Sequence, residues 1–283
     1  MVKVSYYPGC SLHGTAKEYG QSMKAVSAAL GIELKELNDW SCCGASSAHA
    51  TNFKLSMALP ARDLMIAEKD AMDVMVPCAA CFNRFKTTQH HLKEDSELRS
   101  ELEKIIGDRY QGTVAVRNPI DIIYNEIGLE ALQAKVKRKL AGLRPVSYYG
   151  CLLLRPPEVC DFDNYENPVL LDQILEALGA DVKQWSYKTD CCGGSLTIAR
   201  TDIVKNMVDK LMEMAREADA NCVVVACPVC MANLDMRAAN NLKLPVFYFT
   251  ELIGLALGVE GAAGWVKLHS VDVKPLLKGL NLL

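Results

Sequence analysis

The chain has 283 residues, half of them hydrophobic and 23% charged, with 31 basic against 34 acidic side chains and a net charge of −3. That balance is ordinary for a globular protein and lacks the basic excess that nucleic-acid or anionic-membrane binding favours. The amino terminus has no apolar run followed by a small-residue cleavage site, and no stretch approaches about 18 uninterrupted apolar residues, so a cytoplasmic protein without a membrane span is expected.

In chain order, Val2 to Tyr7 is rich in β-branched and aromatic residues and reads as a strand that leads through Pro8-Gly9 to Cys10. Tyr19, Met23, Val26 and Leu30 recur at helical spacing and predict a helix over 16–30, with Gly31 as its C-cap. Ile32 to Leu37 reads as a second strand, followed by a loop carrying Cys42-Cys43-Gly44. A helical region is predicted over 52–72, with Pro60 marking a break or a fresh start, because proline removes an interior hydrogen bond. Asp73 to Val76 reads as a short buried strand that exits into Cys78-Ala79-Ala80-Cys81. Helices over 82–91 and about 94–106, a strand over 113–116, and helices over 119–126 and 129–140 complete this half. The charge run from Lys86 to Arg99 reads as a solvated helix face.

Gly142-Leu143-Arg144-Pro145 reads as a linker, dividing the chain into domains 1–144 and 145–283. Beyond it the order restarts. Val146-Ser147-Tyr148-Tyr149-Gly150-Cys151 repeats Val4-Ser5-Tyr6-Tyr7-Pro8-Gly9-Cys10 with one residue missing. A helix over 168–178, a strand over 181–185, Cys191-Cys192-Gly193, a helix over 196–218, a strand over 222–226, Cys227-Pro228-Val229-Cys230, a helix over 231–240 and a strand over 245–249 continue the parallel. From Gly261 onward, Trp265, Val266, Leu268 and Leu277 make a tail too apolar for a free terminus, expected to pack on the body or dock a partner. Apolar strands alternating with helices predict an α/β fold of two pseudo-twofold-related domains, each a small parallel sheet flanked by helices. In such sheets functional groups gather at the carboxyl ends of strands, where all three cysteine-bearing loops of each half emerge.

Ten of the twelve cysteines therefore form one pattern used twice. Thirty-four residues separate the Cys-Cys pair from the CxxC in both copies, whereas 31 and 39 separate the lone cysteine from the pair. Thiolates select zinc, copper(I) or iron–sulfur clusters over hard cations. A thioredoxin-like dithiol would account for a CxxC but would leave three cysteines of each set unused. Structural zinc in one half needs four ligands and would leave one thiolate over. Side chains of adjacent cysteines diverge, which suits different irons of an extended cluster better than one ion. Iron–sulfur ligation is the preferred reading.

Gly44 and Gly193-Gly194 allow backbone N–H groups to approach sulfur closely, or serve simply as turn residues. His13 and His49 are candidate proton donors to a leaving thiolate, weighed against ordinary surface roles. Cys160 lies in the eight-residue excess of the second copy and is a candidate site-lining residue, whereas Cys222 reads as core. Asp190 reads as a capping or turn residue, and no glycine-rich phosphate loop is present to hold a dinucleotide.

These motifs, C-x31-CCG-x33-CxxC and C-x39-CCG-x33-CxxC, make nearly the whole chain resemble the cysteine-rich CCG-domain family and, within it, the B-type subunit of heterodisulfide reductase. The resemblance implies two CCG domains, each holding a non-cubane 4Fe-4S cluster. Cys10, Cys42, Cys43, Cys78 and Cys81 would bind one, and Cys151, Cys191, Cys192, Cys227 and Cys230 the other. It further implies a small-molecule or protein-borne disulfide held between the clusters and cleaved by one electron from each. Electrons would arrive through a C-type iron–sulfur subunit fed by an A-type flavin subunit. Methanogen members often carry proline after the first Cys-Cys, where this chain has Gly44, so the resemblance leaves the disulfide unassigned. The alternative within the family is an electron-transfer subunit of the lactate- or glycolate-oxidising type, with no disulfide substrate of its own.

Overall fold

Among the residues described by the computed structural model, 2–283, strands form two separate, wholly parallel sheets. The first contains β1 (Val2–Tyr6), β2 (Ile32–Glu36), β3 (Val74–Met75) and β4 (Val116–Arg117), ordered β2-β1-β3-β4. The second contains β5 (Pro145–Tyr148), β6 (Cys222–Val225) and β7 (Val246–Tyr248), in that order. Every residue of β5, β6 and β7 is buried, as strands covered on both faces require. The expected α/β architecture is present.

Several local expectations change. No strand forms over 181–185. Asp181 and Lys183 donate backbone hydrogen bonds to Leu143 and Pro145, but the Ser147 carbonyl accepts from the Trp185 indole at 2.9 Å. At the corresponding place in the first sheet, the Tyr6 carbonyl accepts from the Leu37 backbone. The indole thus ends the ladder before a fourth strand is established. Pro60 neither breaks nor starts a helix: Phe53–Asp70 is continuous, capped by Asn52, whose side chain accepts from the Leu55 N–H. Met57, Ala61, Leu64 and Met65 bury one face of it, so tertiary packing outweighs the lost backbone bond. The strand expected at 113–116 lies at Val116–Arg117, and both CxxC helices start earlier than expected, at Ala79 and Pro228.

The helix Lys17–Leu30 packs against Phe249–Leu257 of the other half. There Tyr19 stacks on Tyr248 with centroids 4.2 Å apart, and Ser22 and Thr250 share a 2.7 Å hydrogen bond. The segment ahead of the expected linker is already bound to the second half, since Lys137 and Arg138 donate to Ala256 and Leu140 to Leu178. The apolar tail packs on the body, with Trp265, Val266, Val273 and Leu277 buried. No helix among the described residues is long and apolar enough to cross a membrane.

Candidate metal centre

Each cysteine set is delivered by the same three loops. Cys10 follows β1 and Cys151 follows β5, and in each case the glycine before the cysteine has φ +68°. A Cβ on Gly9 would stand 3.3 Å from the Cys81 sulfur, and one on Gly150 3.2 Å from the Cys230 sulfur. The lone-cysteine loop thus passes directly over the second thiol of the CxxC, an approach open to glycine. Cys78 and Cys227 occupy N-cap positions of the helices Ala79–Glu94 and Pro228–Arg237, which place Cys81 and Cys230 in the first turn.

Two buried tyrosines brace the paired-cysteine loops. Tyr7 donates its O–H to the Ser41 carbonyl and accepts the Cys43 N–H, both at 2.9 Å, and Tyr148 donates to the Asp190 carbonyl at 2.6 Å. Each stands three residues before its lone cysteine, so the repeat is in register from the cysteine backward. Tyr7 matches Tyr148, and Pro8 matches Tyr149. The strand pairing agrees, because Ser5 faces Val74 and Val146 faces Val223, each four residues before a CxxC. Matching Ser-Tyr-Tyr by identity postulates a missing residue and so hides this tyrosine pair.

All twelve cysteines are free thiols. The Cys10 and Cys42 sulfurs lie 3.9 Å apart, Cys43 and Cys81 3.2 Å, and Cys192 and Cys230 3.5 Å. Two thiolates sharing a metal at about 2.3 Å in tetrahedral geometry sit roughly 3.8 Å apart, so the spacings fit sulfur ligation with small adjustments. Among the described residues no three potential ligands converge on one ion position. The thiols pair across loops instead. Hydrogen bonds from Cys42 and Cys81 draw the Cys43 thiol down to about 3, and the Cys151 hydrogen bond draws Cys191 down to about 6. The Gly193 N–H also points at the Cys191 sulfur, 3.3 Å away. Cys43 and Cys191 are thereby favoured as thiolate, the form that binds metal, while their partners Cys42, Cys81 and Cys151 are raised.

The second set opens into a cavity of about 350 Å³ whose wall includes all five of its cysteines. Tyr149 closes one side, and His49, Arg84, Ala79 and Ala80 cross over from the first half. Among the described residues no carboxylate lines it. Arg84 is half-buried and makes no ion pair among the described residues; burial lowers its pKa. Behind the wall, Lys188 and Asp172 form an enclosed ion pair at 2.8 Å, Lys188 also donates to the Pro168 carbonyl, and Tyr149 donates to the other Asp172 oxygen at 2.8 Å. Behind the first set the buried Asp63 instead accepts from the Ser41 N–H and hydroxyl, with no enclosed lysine among the described residues, and Cys10 and Cys42 are exposed, as is Cys191 of the second set.

Of the candidate proton donors, only His49 reaches the cavity. His13 sits on the surface with Nε2 3.3 Å from Glu36 and its ring edge-on to Trp40. Cys160 is fully buried away from the cavity wall, its sulfur 3.4 Å from the Asn83 amide nitrogen, and Cys222 is core in β6. Arg84, Tyr149 and the Lys188–Asp172 pair carry no local mark in the sequence, because their partners are distant along the chain.

The profile of the Cysteine-rich domain family, CCG, matches residues 4–86 and 146–235. The 8-methylmenaquinol:fumarate reductase membrane anchor subunit of Wolinella succinogenes is 31% identical, covering 96% of this chain and 98% of its own length. The heterodisulfide reductase B-subunit-like protein of Archaeoglobus profundus is 29% identical over 92% of each chain. Lactate utilization protein A 2 of Bacillus cereus is 24% identical, covering 90% of this chain and 99% of its own. With both cysteine sets inside the matched segments, the chain belongs to the cysteine-rich CCG-domain family.

Proposed function

We propose that the chain is the catalytic iron–sulfur subunit of a heterodisulfide-reductase-like complex, reducing or forming a thiol disulfide. In this reading, Cys10, Cys42, Cys43, Cys78 and Cys81 hold one non-cubane 4Fe-4S cluster, and Cys151, Cys191, Cys192, Cys227 and Cys230 hold the other. The division at residue 144 separates the two cluster-bearing domains. The observation that carries the reading is the cavity, which one cysteine set lines on one side and His49 and Arg84 of the opposite half line on the other. Pairing of thiols across loops, with five cysteines in each set against the four ligands that structural zinc takes, favours an extended cluster over zinc.

Bound there, the clusters would supply the two electrons that turn R–S–S–R′ and two protons into two thiols. The chain's own residues shape the rest. Ala79 and Ala80 leave room beside the thiols, Arg84 offers a fixed positive charge, and His49 places an imidazole at the wall. The chain lacks the C-x2-C-x2-C-x3-C run of ferredoxin-type clusters, so electrons arrive from partners, a C-type iron–sulfur subunit and an A-type flavin subunit.

Anaerobic metal analysis should return about eight irons per chain, four for each cluster, and no zinc. The fully reduced chain, mixed with a small disulfide, should be reoxidised with release of two thiols. Reduced clusters that ignore every disulfide yet discharge to a protein acceptor would sink the disulfide reading. That result would favour a pure electron-transfer role, which relatives named for quinol:fumarate reductase and lactate utilization suggest.

A further inference from the structure

The two cysteine sets are tied together by a residue that belongs to neither. Tyr19, on the helix Lys17–Leu30, is fully buried, and its hydroxyl lies 3.2 Å from the Pro77 carbonyl oxygen and 3.3 Å from that of Ala226. Those carbonyls belong to the residues directly before Cys78 and Cys227, the first cysteines of the two CxxC motifs. One O–H shared by two acceptors is a three-centre bond, with arms longer than a single O–H···O contact. The ring has little freedom to choose one arm. It stacks on Tyr248 at 4.2 Å, with 4° between the planes, and meets Phe249 edge-on. Past the two carbonyls, the Cys78 and Cys227 thiols stand near enough at the junction of the halves for each to shift the other's pKa, raising Cys78 and helping to lower Cys227.

The clasp is one-sided. Tyr19 lies on the helix that follows Cys10, whereas the corresponding helix after Cys151, Leu170–Ala177, carries no tyrosine. The hydroxyl therefore has no pseudo-symmetric copy on that helix. Each CxxC loop leaves its own strand, β3 or β6, in a different sheet, so no backbone ladder joins them. We infer that Tyr19 is a positioning residue that sets the separation of the two CxxC loops, and with it the electronic contact between the centres across Cys78 and Cys227. The inference rests on the two-cluster reading. No bond is made or broken at Tyr19; its role is to hold two sulfur ligands at a constant distance, on which electron exchange and spin–spin coupling depend steeply.

The test is Tyr19→Phe in the full, cluster-loaded chain, which keeps the stacked ring and removes the shared O–H. Iron content and each centre's individual paramagnetic signature should persist, while the splitting that each centre imposes on the other shifts or is lost. Ser22→Ala is the control, because it removes the bond to Thr250 at the same interface without touching either CxxC, and should leave the splitting as in the parent. Unchanged splitting in Tyr19→Phe, or an equal change in Ser22→Ala, overturns the inference. If Tyr19→Phe sheds iron, hydrogen exchange at partial loading decides: protection of 76–82 and 225–231 should fall together, and a fall in one segment alone overturns it. A parent chain with a single paramagnetic centre would instead defeat the two-cluster reading, and this inference with it.

Discussion

The two halves use one thiol pattern in unlike surroundings. In the first, a four-stranded sheet delivers cysteines that pair closely, with Cys10 and Cys42 exposed. In the second, a three-stranded sheet delivers cysteines that line a cavity backed by the buried Tyr149–Asp172–Lys188 network. Position by position the contrast is specific. Pro8 stands where the second half has Tyr149, Asp39 where it has Lys188, and Asn233 where the first has Arg84. The repeated features supply thiols; the unrepeated ones surround a cavity. Duplication has preserved the sulfur donors and let the environment of each set diverge.

The largest expected effects test the shared part. Cys42→Ser and Cys192→Ser should each remove one cluster, leaving roughly four of about eight irons and one of two spectral signatures. Retention of both signatures in either variant would refute the ligand assignment. Next comes the divergent part. Lys188→Met strands a buried carboxylate, which costs about 3–5 kcal/mol, read as a lower urea midpoint together with loss of the second centre's iron. Lys188→Met combined with Asp172→Asn should recover most of that loss. At the matching place in the first half, Asp39→Asn disturbs only an exposed pair with Arg62 and should cost less than about 1 kcal/mol. Equal costs at the two positions would erase the contrast.

Arg84 gives a finer test of the same asymmetry. It stands three residues after Cys81 and faces the cavity, whereas Asn233, three after Cys230, donates to the Cys192 carbonyl and accepts from Thr197. A hydrogen bond to a charged partner contributes about 1.5–3 kcal/mol, so Arg84→Gln should raise KM roughly tenfold or more for an acid-bearing disulfide. A neutral disulfide should be unaffected. An equal rise for both would show that Arg84 shapes the cavity without reading charge.

What was legible in the sequence follows from what is local. Cysteine spacing marked the three loops of each half, and short apolar runs placed most strands, because both are written in contiguous residues. The fourth strand of the second sheet failed because Trp185 reaches across to the Ser147 carbonyl, a contact with no local mark. The tyrosine braces were present as Tyr at three residues before each lone cysteine, but the Ser-Tyr-Tyr identity pulled the alignment one residue out of register. Cys160 drew attention by lying in an insertion, yet that insertion is folded against Asn83. Arg84 and the Lys188–Asp172 pair acquire meaning only when residues far apart in the chain share a cavity wall or an enclosed pocket.

The tail supplies the smallest expected effect and a last difference between the halves. His269 is buried with Nε2 2.9 Å from Glu251, while Asp235, on the Cys230 helix, accepts the Ser270 and Val271 N–H groups. Burial alone would lower the His269 pKa, but the Glu251 hydrogen bond and the charges of Glu251, Asp235 and Glu18 outweigh it and raise the value. A histidine raised above its unfolded pKa of about 6.5 adds stability that is complete below that pH and fades as pH rises through the folded value. The tail should therefore loosen on the alkaline side. Parent and His269→Gln thermal midpoints should differ most in mild acid and converge as pH climbs. A difference that grows toward alkaline pH would reverse the sign and show that His269 is held neutral. Because Asp235 shares its helix with Cys230, the same series also reports whether the tail steadies the second centre: if it does, iron loss in His269→Gln will come from that centre before the first.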